Sequence, residues 1–235
     1  MCLGCDNMKY FKRLFKSLIP VFKYLVFSYL VIFISYVFFY VTGNDVAIKS
    51  IFDNIIYVLS ICSFIYSIYL SKKYKISYRK PWNLIILSML GIGLACFCNM
   101  IILSIRVNTI SSFSKILLII AGIIMGPLSE EIVFRGILLD DLSKYNNKFI
   151  AILLGSFIFG ILHRDLISMI YAFIFGIVTG IVYLKDRNLT NCILIHASGN
   201  FIVLLLTGYN IYILLLSFIL LIISVFIIKR DYLLK

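Results

Sequence analysis

Residues 116–139, ILLIIAGIIMGPLSEEIVFRGILL, decide how the rest of this chain is read. The stretch is long enough to cross a hydrocarbon core of about 30 Å as a helix, which takes about 20 apolar residues. Yet it carries two adjacent glutamates, Glu130 and Glu131, and an arginine, Arg135. A charge at the centre of a membrane helix costs at least about 2.5 kcal/mol, so three such groups in one span point to a function. Comparable apolar runs lie at 18–41, 51–70, 82–105, 149–162, 166–184, 190–207 and 209–228. The expectation is an all-α membrane protein, a bundle of about eight transmembrane helices with a polar intramembrane cavity around the charged residues.

Composition supports a lipid environment. Of 235 residues, 63% are hydrophobic and 14% charged, and the mean hydropathy of +1.08 excludes an ordinary soluble domain. A net charge of +12 would suggest nucleic acid in a soluble protein. Here the basic residues follow the loops instead. Seventeen of the 22 Lys and Arg fall in the N-terminal segment, the 71–80 loop, the loops after the fourth and sixth runs, and the C-terminus. Only Lys49, Arg106, Lys115 and Arg164 fall in the alternate loops, and Arg135 is within a span. That asymmetry places both termini in the cytoplasm. The expected partners are membrane lipids and a membrane-associated peptide or protein substrate, and no nucleic acid.

The first run is too long for a signal peptide and lacks a small-residue cleavage site after it, so it is expected to stay in the membrane. The bias towards Ile, Phe, Tyr, Lys and Asn, together with short loops, suggests a multi-pass protein of a bacterial cell membrane. Residues 1–115 read as three N-terminal helices with basic segments, 116–207 as the core that carries the chemistry, and 208–235 as a last helix and tail. Cys62, Cys96, Cys98 and Cys192 lie in apolar stretches. Cys2 and Cys5 form a Cys-x-x-Cys pair that suits metal or redox chemistry, but no second pair completes a zinc site. Gly122 with Gly126, and Gly176 with Gly180, have the spacing that lets membrane helices approach closely.

The remaining titratable residues in the spans are few. The chain has two Glu and two His, and His163 and His196 fall at the end of the fifth run and within the seventh. Helical spacing puts Glu131 and Arg135 on one face, where pairing lowers the cost of burying both. Glu130 is rotated about 100° away, free to face a neighbouring helix or water. His196 and Asn200 share a face, as do Phe159 and His163. Three helices can thus aim Glu130, His163, His196 and Asn200 at one point. A buried glutamate with an imidazole can take a proton from water, while His and Asn can donate hydrogen bonds to an oxyanion. Glu130, His163 and His196 are also a possible Zn²⁺ ligand set that leaves one position for water. Pro127 removes a backbone bond towards Ile123 and predicts a kink beneath the glutamates.

Glu130-Glu131-Ile-Val-Phe-Arg135, Phe159-Gly-Ile-Leu-His163 and His196-Ala-Ser-Gly-Asn200 resemble, in order, the three motifs of the CPBP family of intramembrane proteases. That family includes the Rce1-type CAAX prenyl proteases and the bacterial Abi proteins linked to bacteriocin immunity. Pro127, Gly136 and the 185–189 turn resemble it as well. The resemblance covers roughly residues 116–207. It implies an intramembrane endopeptidase in which Glu130 and His163 activate water, His196 and Asn200 stabilise the oxyanion, and Glu131 with Arg135 supports the site. Members of the family have been viewed both as glutamate proteases and as metalloproteases.

Each residue also has a plainer reading. Glu131 and Arg135 make sense as a structural ion pair, His163 as a helix end at interfacial water, and Asn200 as interhelical glue. At the level of function, a proton- or ion-relaying membrane protein and a non-proteolytic bacteriocin immunity protein are the alternatives. Depth is the point of tension. The fifth run is about 21 Å long at 1.5 Å per residue, which puts His163 too high to meet Glu130. The expectation is that this helix is strongly tilted or starts below the surface near Asn147, with the Arg164 and Asp165 turn dipping into the protein.

Overall fold

The computed structural model describes residues 3–43, 55–76, 78–105, 120–163, 166–206 and 209–233, with side chains for most of them. The Arg164 and Asp165 turn, the Cys2 and Cys5 thiols and the start of the fourth run lie outside this set. Eight helices follow one another in the expected order among the described residues. They are α1 (Leu3–Val41), α2 (Ile55–Lys73), α3 (Leu84–Ile105), a composite α4, α5 (Lys148–Ile161), α6 (Leu166–Asp186), α7 (Leu189–Val203) and α8 (Ile211–Ile228). Four contain a stretch long and apolar enough to cross a membrane: Tyr10–Val41, Leu84–Ile101, Leu166–Asp186 and Ile211–Asp231. Helices α5 and α7 are apolar but shorter. The seventh run was expected to reach residue 207, and its helix ends at Val203.

Helix α4 departs from a regular helix. A π-helical stretch, Ile120–Met125, leads into an α-helical turn, Gly126–Glu131. A second π-helical stretch, Ile132–Leu139, follows before a final turn, Asp140–Leu142. Pro127 stands at the start of the central turn, where its missing N–H is least costly. The chain thus accommodates the proline by widening the preceding turn, and π-helical turns of this kind gather at functional sites. Both glutamates end the one regular turn between them.

Asparagines start three of the later helices. The Asn147 side chain accepts from the Ile150 N–H at 2.8 Å, Asn188 from Thr190 at 3.2 Å, and Asn210 from Tyr212 at 2.9 Å. Each satisfies a backbone donor that a helix start leaves open. The expected start of α5 near Asn147 is therefore set by a cap.

Helix α3 packs along both α7 and α8, α5 pairs with α6, and α1 lies against α2 and α4. Close backbone approach makes these contacts. A methyl group at Gly176 would lie 2.9 Å from the Ser156 Cβ, and one at Gly180 would lie 3.3 Å from Ile152, so this glycine pair does seat α6 on α5. The other pair has no such role, since a methyl group at Gly122 would meet nothing within 4 Å. A glycine outside either pair matters more. A methyl group at Gly91 in α3 would overlap the Ile195 carbonyl and the Ser198 hydroxyl of α7. Backbone cannot yield as a flexible side chain does, so Gly91→Ala should cost about 1–3 kcal/mol. The check is the unfolding midpoint in detergent, with the open Gly122→Ala as the control.

One end of the bundle is strongly polar. The Ser17 hydroxyl contacts Asp141 Oδ2 and the Tyr145 hydroxyl, each at 2.6 Å, and Tyr10 donates to Asn146 at 3.2 Å. Arg187 pairs with Asp140 at 2.6 Å and donates to Ser143 at 2.9 Å. Asn188 donates to the Lys80 carbonyl at 3.0 Å. Four segments that the charge pattern assigned to one side of the membrane thus meet: the start of α1, the 71–80 loop, the end of α4 and the α6–α7 turn. A cleft of about 280 Å³ opens here, lined by Lys16, Ser17, Pro20, Tyr74, Asp140 and Lys144 among others. The neighbouring Asp140 carboxylate, hydrogen-bonded to Lys144, raises that ammonium above the ordinary lysine range.

Candidate active site

Glu131 is fully buried on α4. One helical turn on, Arg135 Nη1 lies 3.1 Å from its Oε1, both groups out of solvent. From α7, His196 Nδ1 lies 2.8 Å from the same oxygen. A carboxylate can only accept, so with Glu131 ionised beside Arg135 the proton must sit on His196 Nδ1. In the neutral ring that leaves Nε2 with its lone pair, and Nε2 is 3.8 Å from Glu130 Oε2. One imidazole therefore stands between the two glutamates. The Glu130 side chain is 34% exposed, against none for Glu131, so their environments differ as helical rotation predicts.

Arg135 is held from two further sides. Its Nη2 donates to the Thr179 hydroxyl of α6 at 2.6 Å, and Thr179 donates to the Phe175 carbonyl at 2.9 Å. The guanidinium lies 4.5 Å from the centre of the Phe159 ring, a distance that suits cation–π attraction. Phe175 packs its ring 4.7 Å from that of His196. Thr179 is absent from the three motifs, and nothing in the sequence singled it out, because a threonine in an apolar helix has many roles. Glu131 Oε2 and Arg135 Nη1 are buried without a hydrogen bond. A bound water satisfies such atoms in many buried sites.

The expected residues do not all meet. Glu130, Glu131, Arg135 and His196 form one contiguous group. The amide of Asn200 donates to the Gly122 carbonyl at 2.8 Å, tying α7 to the π-helical part of α4. At the end of α5, His163 Nδ1 is 3.0 Å from the Phe159 carbonyl of its own helix. A carbonyl only accepts, so Nδ1 carries a proton and, in the neutral ring, Nε2 is an acceptor. The His163 ring meets Phe159 edge-on at 4.9 Å, and Phe159 in turn lies 6.3 Å from the His196 ring. Both imidazoles thus flank one phenylalanine. Among the described residues His163 makes no direct ion pair with Glu130; the expectation was that the two share a water.

The donor set for a metal can be judged on the same geometry. Among the described residues no three His, Cys, Asp or Glu side chains gather closely enough to hold an ion. Both imidazoles use Nδ1 for a carboxylate or a carbonyl, which leaves on each the Nε2 that a metal would take.

All these groups except Thr179, Phe175 and Gly122 fall on the motifs, and comparison with known families covers the same stretch. Residues 112–202 match the type II CAAX prenyl endopeptidase Rce1-like family. The likeness lies in that stretch, which is less than half of the chain. A stretch of 90 residues is 34% identical to YdiL of Bacillus subtilis (strain 168), named as a presumed membrane peptidase. The match covers 38% of this chain and 37% of that protein's length. No solved structure matches the chain. The matched stretch takes in α4, α5, α6 and nearly all of α7; α1, α2 and α3 pack against it, and α8 packs on α3.

Proposed function

We propose that the chain is an intramembrane endopeptidase that hydrolyses a peptide bond of a membrane-associated peptide or protein. The observation that carries this reading is the line Glu131–His196–Glu130: a buried carboxylate that fixes an imidazole, whose other nitrogen faces a second carboxylate, about one third exposed. A structural ion pair needs only Glu131 and Arg135. Glu130 adds a costly group with no cation beside it among the described residues, and its place beside a basic nitrogen suits proton transfer.

In the proposed reaction Glu130 takes a proton from a water, and the oxygen attacks the peptide carbonyl. The tetrahedral intermediate collapses when that proton reaches the leaving amine, and the C–N bond breaks. His196 Nε2 is placed to carry the proton between them, with Glu131 stabilising the imidazolium. The oxyanion role that resemblance gives to His196 is open to it only once Nε2 is protonated. Asn200 keeps a second amide N–H for that task, and the His163 Nε2 acceptor fits the water-activating role assigned to it. In this reading side chains alone activate the water. The basic end of the bundle, with both termini, faces the cytoplasm of a bacterial cell.

The test is cleavage of quenched-fluorescence peptides carrying a lipid anchor, with the protein in liposomes. His163→Ala should lower kcat by about a hundredfold, and chelator should leave the wild-type rate unchanged. Full activity of His163→Ala would remove that residue from the mechanism, and chelator sensitivity would replace the metal-free scheme.

A further inference from the structure

Helix α6 carries none of the three motifs, yet it reaches His196 by two routes. One is direct, through the Phe175 ring, 4.7 Å from the imidazole. The other starts one turn further on, at Thr179, which is fully buried. Glycines on both sides of Thr179 bring α6 close to its neighbours. A methyl group at Gly176 would lie 2.9 Å from Ser156 of α5, and one at Gly180 would lie 3.4 Å from Leu139 of α4. Cys192 of α7 holds the same turn, its thiol 3.4 Å from the Thr179 carbonyl.

The donors fix the direction of the second route. The Thr179 hydroxyl has one proton, and its own helix takes it, at the Phe175 carbonyl at 2.9 Å with the Gly176 carbonyl at 3.3 Å. Towards Arg135 its oxygen accepts, because a guanidinium can only donate, and Nη2 does so at 2.6 Å. Arg135 Nη1 lies 3.1 Å from Glu131 Oε1, the oxygen that meets His196 Nδ1 at 2.8 Å. Glu131 Oε2 is buried without a hydrogen bond, so these two contacts orient the carboxylate. A planar fork pinned at one nitrogen presents the other at a fixed place.

We propose that Thr179 is a positioning residue for His196, its hydroxyl pinning the Arg135 guanidinium, which fixes the Glu131 carboxylate and through it the imidazole. This rests on His196 carrying the proton in the proposed reaction. A valine of the same shape would leave the buried Nη2 without its acceptor. The guanidinium would then turn towards the free Glu131 Oε2, and the carboxylate would loosen its hold on His196 Nδ1. The seating of α6 against α4 and α5 thus enters the chemistry through one hydroxyl.

The experiment compares Thr179→Val with Thr179→Ser, which keeps the hydroxyl, using the full chain in liposomes and the lipid-anchored peptides above. Ser224→Ala, which removes a buried hydroxyl of α8 bonded to its own helix, is the control. Thr179→Val should lower kcat roughly tenfold with KM unchanged, the size of one lost hydrogen bond. Thr179→Ser should restore kcat. The second readout is the nitrogen-15 NMR signal of His196 Nδ1 in histidine-labelled protein, taken without substrate. The chain has two histidines, so the signal is assigned by what remains in His163→Ala. It should move towards the position of a free imidazole N–H in Thr179→Val, and stay in Thr179→Ser and Ser224→Ala. Thr179→Cys, whose thiol is a weak acceptor, should show part of both effects and serves if Thr179→Val fails to fold. An unmoved signal in the folded variants, or unchanged kcat while His196→Ala is inactive, overturns the proposal. If His196→Ala itself still cleaves, the signal alone decides the positioning, and the reading of His196 as proton carrier is what fails.

Discussion

Glu130→Gln is expected to lower peptide cleavage by about a thousandfold while leaving the fold intact. General-base catalysis contributes about a hundred- to ten-thousandfold, and glutamine keeps the shape of the side chain while losing the proton acceptor. The small structural cost follows from the surroundings. Glu130 is about one third exposed, and its contact with His196, at 3.8 Å, is too long to be a hydrogen bond. Nothing buried is left unpaired when its charge goes. Stability should therefore change by no more than about 0.5 kcal/mol, as for other exposed replacements. The measurement is kcat beside the unfolding midpoint of the same preparation. Undiminished cleavage with a well-folded variant would remove Glu130 from the chemistry.

The sequence spoke most clearly where polar residues were costly. Two glutamates, an arginine and two histidines in apolar runs were enough to mark a candidate site, because lipid leaves such residues few places to hide. The split between Glu130 and Glu131 was legible from the 100° step of a helix. What spacing could not show was which partner each group takes across helices. Glu131 reaches His196 as well as Arg135, and His163 turns to its own helix, because ring orientation depends on packing against Phe159 and Phe175. Thr179 was invisible for a related reason. A hydroxyl in a membrane helix is cheap, and only the approach of a second helix gives it a task. The π-helical turns around Pro127 were likewise read as a kink, since a proline predicts a lost bond but not how the turn absorbs it. Gly91 was missed because close approach needs one glycine opposite a backbone, not a repeating pair.

Glu131→Gln should differ from Glu130→Gln in kind. Glu131 is fully buried and its charge is shared by Arg135 and His196, so its neutralisation leaves a buried guanidinium uncompensated. Breaking a buried pair from one side costs about 3–5 kcal/mol, enough to shift the unfolding midpoint by many degrees and to reduce the amount of protein recovered from membranes. Thr179 and the Phe159 ring still hold the guanidinium, and they set how far it falls. A control separates stability from chemistry. Removing both charges with Glu131→Leu and Arg135→Leu should recover much of the lost stability, since apolar replacements of a buried pair are often neutral or better. It should not recover cleavage, because His196 loses the carboxylate that fixes its tautomer and favours proton uptake at Nε2. If the double variant regains both stability and activity, Glu131 and Arg135 are only a structural pair, and the imidazole between the glutamates carries no proton.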